Sequence, residues 1–138
     1  MFGDNGNNGN KKGAALGLLL LIGAALTLVS CGGGEEVIDP EALRGGETRG
    51  TLSPSYFSGK VATSYKAARE IPEILDSLYC YCDCKKHAGH KSLLTCYVDR
   101  HAANCDICIN EALIARNMHK NGEDVIAIRK AIDGRYKR

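Results

Sequence analysis

The sequence predicts an all-α fold: a small cysteine-rich helical domain behind a lipoprotein signal and a flexible tether. Three observations predict it. Apolar residues after position 52 recur every three or four positions, as in Phe57, Val61, Tyr65 and Ala68. Prolines and an Asn-Gly pair fall where helices begin and end. No segment alternates apolar and polar residues over the length a half-buried strand needs.

Residues 1–30 read as a bacterial lipoprotein signal peptide. Lys11 and Lys12 form a positive n-region, and Gly13 to Val29 is uncharged and mostly aliphatic. Leu28-Val29-Ser30-Cys31 fits a lipobox, in which small side chains suit the peptidase pocket and the Cys31 thiol accepts the lipid. At about 17 apolar residues, several of them Gly or Ala, the stretch is marginal for spanning a bilayer. The expectation is a chain lipidated at Cys31 and held on a membrane outside the cytoplasm, in the periplasm or at the outer membrane if the host is a diderm. Residues 31–52 follow as a lipidated tether. Gly32-Gly33-Gly34, Gly45-Gly46 and Gly50 are interspersed with Glu35, Glu36, Glu41 and Glu47, and aromatic residues are absent. Such a composition buries too little apolar surface to offset the entropy of ordering it.

The cysteine-rich helical domain is assigned to residues 53–138. Ser53-Pro54-Ser55 predicts a helix start, and Pro72 ends that helix or opens a second one carrying Ile74, Leu75 and Leu78. Cys80 to Gly89 predicts a loop, because its alternating aromatic, acidic and thiol residues offer no helical face. Ser92 to Val98 predicts a short helix. Asn104 is placed as the N-cap of a helix from Cys105 to His119, ended by Asn121-Gly122. Glu123 to Ile132 predicts the last helix, with Val125, Ile128 and Ile132 on one side.

Charge excludes some functions. The whole chain carries +2, and losing Lys11, Lys12 and Asp4 with the signal leaves +1, which does not make a nucleic-acid surface. Arg135-Tyr136-Lys137-Arg138 reads as a solvated tail. No Gly-rich phosphate loop joins a strand to a helix. Residue 109 is Ile, so Cys105 and Cys108 do not form a c-type haem attachment. A cysteine hydrolase with His101 as base would not need six thiols.

The chemistry lies between Cys80 and Cys108, where six thiols fall within 29 residues. Cys80, Cys82 and Cys84 alternate. In an extended strand their neighbouring Cα atoms would be roughly 6.5–7 Å apart, a little far for an unstrained disulfide, whereas a wrapped loop brings the thiolates onto one soft cation. Cys105 and Cys108, at i and i+3 of a helix start, would share one face near unpaired amides that favour thiolate. Cys96 and His90 are candidates to complete the set, and His87 is a further one. His101 and His119 read as packing or solvent-facing residues, and Tyr79, Tyr81 and Tyr97 as a shield for the sulfurs. The candidate metal ligands are therefore Cys80, Cys82, Cys84, His90, Cys96, Cys105 and Cys108, suited to Cu(I) or Zn(II). With Cys31 acylated, the six remaining cysteines also permit three disulfides in fifteen connectivities, or redox cycling.

Cys80-Tyr81-Cys82-Asp83-Cys84, Gly89-His90-Lys91-Ser92-Leu93, Cys96-Tyr97-Val98 and Cys105-Asp106-Ile107-Cys108 resemble the small bacterial lipoproteins named for a PCYCGC or CYCXC motif. The resemblance runs from about Pro72 to Tyr136. It departs at Tyr79, where that motif has Pro, and at Asp83, where it has Gly. The resemblance implies no settled activity. Selenocysteine in some members of that group implies redox chemistry without excluding a metal. The resulting expectation is an extracytoplasmic lipoprotein that binds a soft metal ion. The alternatives are a thiol–disulfide oxidoreductase using the same cysteines and a disulfide-stapled module for an envelope protein partner.

Overall fold

The computed structural model describes residues 38–138, so the signal peptide, the lipobox and Cys31 lie outside the described residues. Five α-helices form, with four one-turn 3-10 segments and no strand among the described residues. Helix α1 spans Gly59–Glu70, α2 Pro72–Asp76, α3 Cys84–Ala88, α4 Asp106–Lys120 and α5 Val125–Tyr136.

The first helix starts later than the sequence predicts. Ser53 Oγ accepts from Ser55 N, and with Pro54 next in line this yields only a 3-10 turn, Pro54–Tyr56. Phe57 then turns extended, which lets its ring stack on Tyr65 at 4.0 Å between centroids. Pro72 occupies the first turn of α2, where its missing N–H breaks no helical bond. The segment predicted as a helix over 92–98 is a tight 3-10 turn, Leu94–Tyr97, with every residue from Leu93 to Tyr97 buried. Its entrance is pinned by Leu93 N donating to Leu78 O at 2.9 Å and Ser92 Oγ donating to Asp76 Oδ1 at 2.7 Å. Asp124 caps α5 by accepting from Ala127 N at 2.8 Å, and the helix runs one turn beyond Ile132.

Helix α4 packs between α1 and α5. Arg116 on α4 pairs with Glu70 on α1, while Tyr81 Oη donates to Asp133 on α5 at 2.7 Å. The shared core contains Tyr65, Leu75, Leu78, Leu93, Tyr97, Ile128 and Ile132, and the sulfurs of Cys80, Cys84, Cys96 and Cys108 belong to the same cluster. Tyr65 and Tyr97 meet edge to face at 4.9 Å. The thiol site thus forms part of the core.

The tether expectation covers residues 31–52, and part of that stretch is bound to the domain. Buried Asp76 collects Gly46 N and Glu47 N on its carboxylate, and Asp76 O accepts from Gly45 N at 2.8 Å. Leu52 N donates to Tyr97 O at 2.9 Å. A Cβ on Gly45 would meet Ser92 Cβ at 2.7 Å and Lys91 O at 2.9 Å, so only glycine fits this approach. Gly45→Ala is therefore expected to cost about 1–3 kcal/mol, read as a lower denaturant midpoint. An unchanged midpoint would mean that the strap does not press on Lys91 and Ser92.

Glu47 holds the other end of this strap. Its carboxylate accepts from the Arg49 guanidinium at 2.7 and 2.9 Å and from Thr95 Oγ1 at 2.9 Å. The Arg49 bonds hold its pKa well below the ordinary 4.5. A depressed carboxylate stabilises the fold above its unfolded value, and that contribution disappears as pH falls below about 4.5. Amide exchange at residues 45–52 is expected to accelerate relative to the core as pH drops through this window. With Glu47→Gln, that added acid sensitivity should vanish.

Candidate metal centre

Three elements bring the sulfurs together. The Cys80–Asp83 turn is not extended. Asp83 sits at φ 60° and ψ 22°, the only non-glycine residue with positive φ among those described, and this left-handed step starts α3 at Cys84. Glycine adopts that conformation without a Cβ penalty, which explains physically why a motif of this type takes glycine there. Here Asp83 is helped by Lys86 at 3.2 Å and Tyr79 Oη at 3.3 Å. The sequence predicts a loop here, and the structure forms a short helix with only Cys84 facing inward, while Lys85, Lys86 and His87 are exposed. The turn brings the Cα atoms of Cys82 and Cys84 to 5.6 Å, inside disulfide range, and their sulfurs are joined. The spacing argument against a disulfide between alternate cysteines applies to an extended strand, and the turn removes its premise. Cys80, Cys96, Cys105 and Cys108 are free thiols, so six cysteines paired in three disulfides is not the arrangement found.

Cys80 is the hub. Its Sγ lies 3.2 Å from Cys82, 3.4 Å from Cys108, 3.6 Å from Cys96 and 4.0 Å from Cys84. Ligand sulfurs around one tetrahedral ion at ~2.3 Å are about 3.8 Å apart, so several of these separations resemble tetrahedron edges. Three sets of donor atoms each lie within 4.8 Å of one another. They are Cys80, Cys84, Cys96 and Cys108; Cys82, Cys84, His101 and Cys108; and Cys84, His90, Cys96 and His101. His90 Nδ1 is 3.1 Å from Cys96 Sγ, and His101 Nε2 is 2.8 Å from Cys84 Sγ.

Six of the seven predicted ligands thus converge: Cys80, Cys82, Cys84, His90, Cys96 and Cys108. Cys105 belongs to none of the three sets. Asn104 does not cap α4 but closes a separate 3-10 turn, Ala102–Asn104, leaving Cys105 at the cap position with φ −132° and ψ 104°. Cys105 thus stands at the N-cap rather than inside the first turn of α4, and its sulfur is not among those that converge. His87 and His119 are exposed. His101, read from sequence as a packing or solvent-facing residue, is brought to Cys84 by the turn before α4 and meets the His90 ring at 4.6 Å.

Tyr97 acts differently from a shield. Its hydroxyl donates to Cys108 O at 2.8 Å and fixes the first turn of α4. Tyr81 does cover the site, edge to face with Tyr79 at 5.0 Å, and its N–H donates to Glu111 Oε1 at 3.0 Å.

Glu111 was not singled out from the sequence. It is fully buried, and its Oε2 has no hydrogen-bond partner. Burial, and then the negative charge of Cys80, push its pKa up to about 9, so it is a neutral acid at physiological pH. Its one sequence signal is position: it lies three residues after Cys108, one helical turn on. Cys80 is displaced the other way. Hydrogen bonds from Cys108 and then Cys96 hold its thiol well below the usual range, and the same contact with Cys80 pushes Cys108 up. The pocket therefore stabilises negative charge on Cys80 and keeps a proton on Glu111.

Half-buried Cys82 opens onto a cleft of about 570 Å³, also lined by Tyr79, Tyr81, Lys86, Arg135 and Tyr136. The basic C-terminal residues border this opening, which gives the predicted solvated tail a place beside the sulfurs.

No curated protein and no solved structure matches the chain. The family described as "Protein of unknown function with PCYCGC motif" matches residues 52–138, well over half of the sequence and all of the sulfur site. The chain, with its Cys80-x-Cys82-x-Cys84 turn, belongs to that PCYCGC-motif family.

Proposed function

We propose that this protein is a lipid-anchored extracytoplasmic lipoprotein whose helical domain binds a soft metal ion, with Zn(II) or Cu(I) matching the donors. The observation that carries the reading is the convergence of four buried sulfurs, from Cys80, Cys84, Cys96 and Cys108, within 4.8 Å of one another. Soft thiolates and borderline imidazoles, His90 and His101, are the donors such cations prefer. Buried thiolates also need a counter-charge, and no lysine or arginine belongs to the buried set among the described residues. The anchoring part of the proposal rests on the lipobox at Cys31 and on residues 1–30. A membrane is then the expected surface partner, and a metal-exchanging envelope protein the expected soluble one.

Disulfide formation between Cys82 and Cys84 would withdraw two donors, so the binding form is the reduced one. Reduction by a dithiol transfers two electrons and two protons to this pair and leaves the dithiol as a disulfide. The test is to reduce the full chain, remove the reductant anaerobically and titrate Zn(II) or Cu(I) against a chromophoric chelator while counting reactive thiols. Uptake of at least one ion with loss of thiol reactivity supports the proposal. Absence of uptake sinks it.

A second reading is favoured by one specific arrangement. The Cys82–Cys84 disulfide lies beside the cleft, with the Cys80 sulfur 3.2 Å from Cys82. A substrate dithiol entering the cleft would attack Cys82 and release Cys84 thiolate, which His101 is placed to protonate. The second substrate thiol would then displace Cys82 and leave as a disulfide. Turnover of a small dithiol with a disulfide as terminal oxidant, in metal-free protein, would favour this reading.

A further inference from the structure

Resting on the soft-metal reading above, we propose that the centre holds two divalent ions rather than one, bridged by the thiolates of Cys84 and Cys96. Two of the three donor sets carry the argument. Cys80, Cys84, Cys96 and Cys108 form one, and Cys84, His90, Cys96 and His101 form the other. Each offers four donors, the number a tetrahedral ion takes, and the two sets have Cys84 and Cys96 in common. Two tetrahedra sharing that sulfur–sulfur edge use six side chains. One ion has Cys80 and Cys108 as terminal ligands, and the other has His90 and His101.

The histidines sit where this arrangement needs them. His101 Nε2 lies 2.8 Å from Cys84 Sγ, and His90 Nδ1 lies 3.1 Å from Cys96 Sγ. Each imidazole is against one of the two shared sulfurs, and the rings meet at 4.6 Å. On the other side, Cys80 Sγ is 3.4 Å from Cys108 Sγ and 3.6 and 4.0 Å from Cys96 and Cys84. A single ion would leave two or more of these six donors without a metal in a buried pocket.

Charge points the same way. Four thiolates around one divalent ion leave a net −2 in a site whose sulfurs are all buried. Four thiolates, two neutral imidazoles and two divalent ions are neutral. Monovalent Cu(I) would need four ions for the same balance, more than two donor sets sharing an edge can place. The composition therefore selects a divalent thiophilic ion of the Zn(II) type. Cys82, half-buried at the cleft, is the remaining sulfur and belongs to the third set with Cys84, His101 and Cys108. It is placed to hand an arriving ion from the cleft to the buried ligands.

The experiment uses the full chain, reduced and held anaerobically, titrated with Zn(II) and, in parallel, with Cd(II) for cadmium NMR. Two ions per chain are expected. Two cadmium resonances should appear, one sulfur-rich and one with mixed sulfur and nitrogen ligation, each split by the other through the bridging thiolates. His101→Gln changes a half-buried residue and is expected to reduce the stoichiometry from two to one while keeping the sulfur-rich resonance. Far-UV circular dichroism confirms that this variant is folded. One ion in the wild type overturns the binuclear centre and leaves the soft-metal reading standing, whereas no ion sinks both. Two resonances without mutual splitting overturn the bridge, and two ions retained in His101→Gln overturn the assignment of the second site.

Discussion

Cys84→Ser is expected to lower soft-metal affinity at least about 100-fold, because Cys84 is the one donor present in all three ligand sets. Its sulfur sits between the Cys80 thiol at 4.0 Å and the His101 imidazole at 2.8 Å, where it links the thiol and imidazole donors. Serine keeps the shape but substitutes a hard oxygen that stays protonated at neutral pH. It also removes the Cys82–Cys84 disulfide, so the wild type and both variants are compared after the same anaerobic reduction. Cys105→Ser is the informative contrast. Cys105 shares the motif and the i, i+3 spacing with Cys108, yet it stands outside every set, so the variant should bind as the wild type does. Competition with a chromophoric chelator measures both. Equal loss in the two variants would show that Cys105 is a ligand and that the extended cap conformation does not persist in the loaded protein.

Removing the metal from loaded protein is expected to cost the fold about 4 kcal/mol where free metal stands near 1,000 times its dissociation constant. For a domain of this size that is roughly a 15–30 °C fall in melting temperature. The effect is large because the ligands come from the 80–84 turn with the start of α3, from the chain at His90 and Cys96, from the turn at His101 and from the first turn of α4. An ion ties all of these together, so its binding free energy becomes folding free energy. Without it, the same pocket retains a cluster of thiols and the unpartnered Oε2 of Glu111 inside the core. Thermal melts followed by circular dichroism, with and without a strong chelator, measure the difference. Coincident melts in protein shown to carry metal would mean that the ion sits on a preformed frame and adds nothing to its stability.

Much of the helical frame is legible in the sequence. Pro72 and Asn121-Gly122 punctuate the chain through strictly local effects, a missing donor and a turn preference, and the structure has its boundaries there. The errors lie where a distant contact competes with a local preference. Phe57 leaves the predicted helix to stack on Tyr65, and residues 92–98 tighten into a 3-10 turn because Leu78 and Asp76 hold their start. Gly45 to Leu52 reads as tether on composition alone, yet Asp76 and Tyr97 supply partners for its backbone.

The candidate site divides in the same way. The density and spacing of cysteines told that sulfur chemistry sits between residues 80 and 108, because thiol-rich runs of this kind have few structural uses. They did not tell which thiols meet. Asp83 in a left-handed conformation folds Cys84 back towards Cys80, and an extended Cys105 drops out although its spacing is right. His101 and Glu111 enter the site through turns and a helix face that no local pattern marks. By itself, then, the sequence determined the helical class, the family motif and the kinds of donor atom available, since these follow from residue chemistry and near-neighbour periodicity. Only the tertiary structure decided the ligand sets, because convergence of side chains 10 to 30 residues apart depends on how separate elements pack, and packing is not a local property.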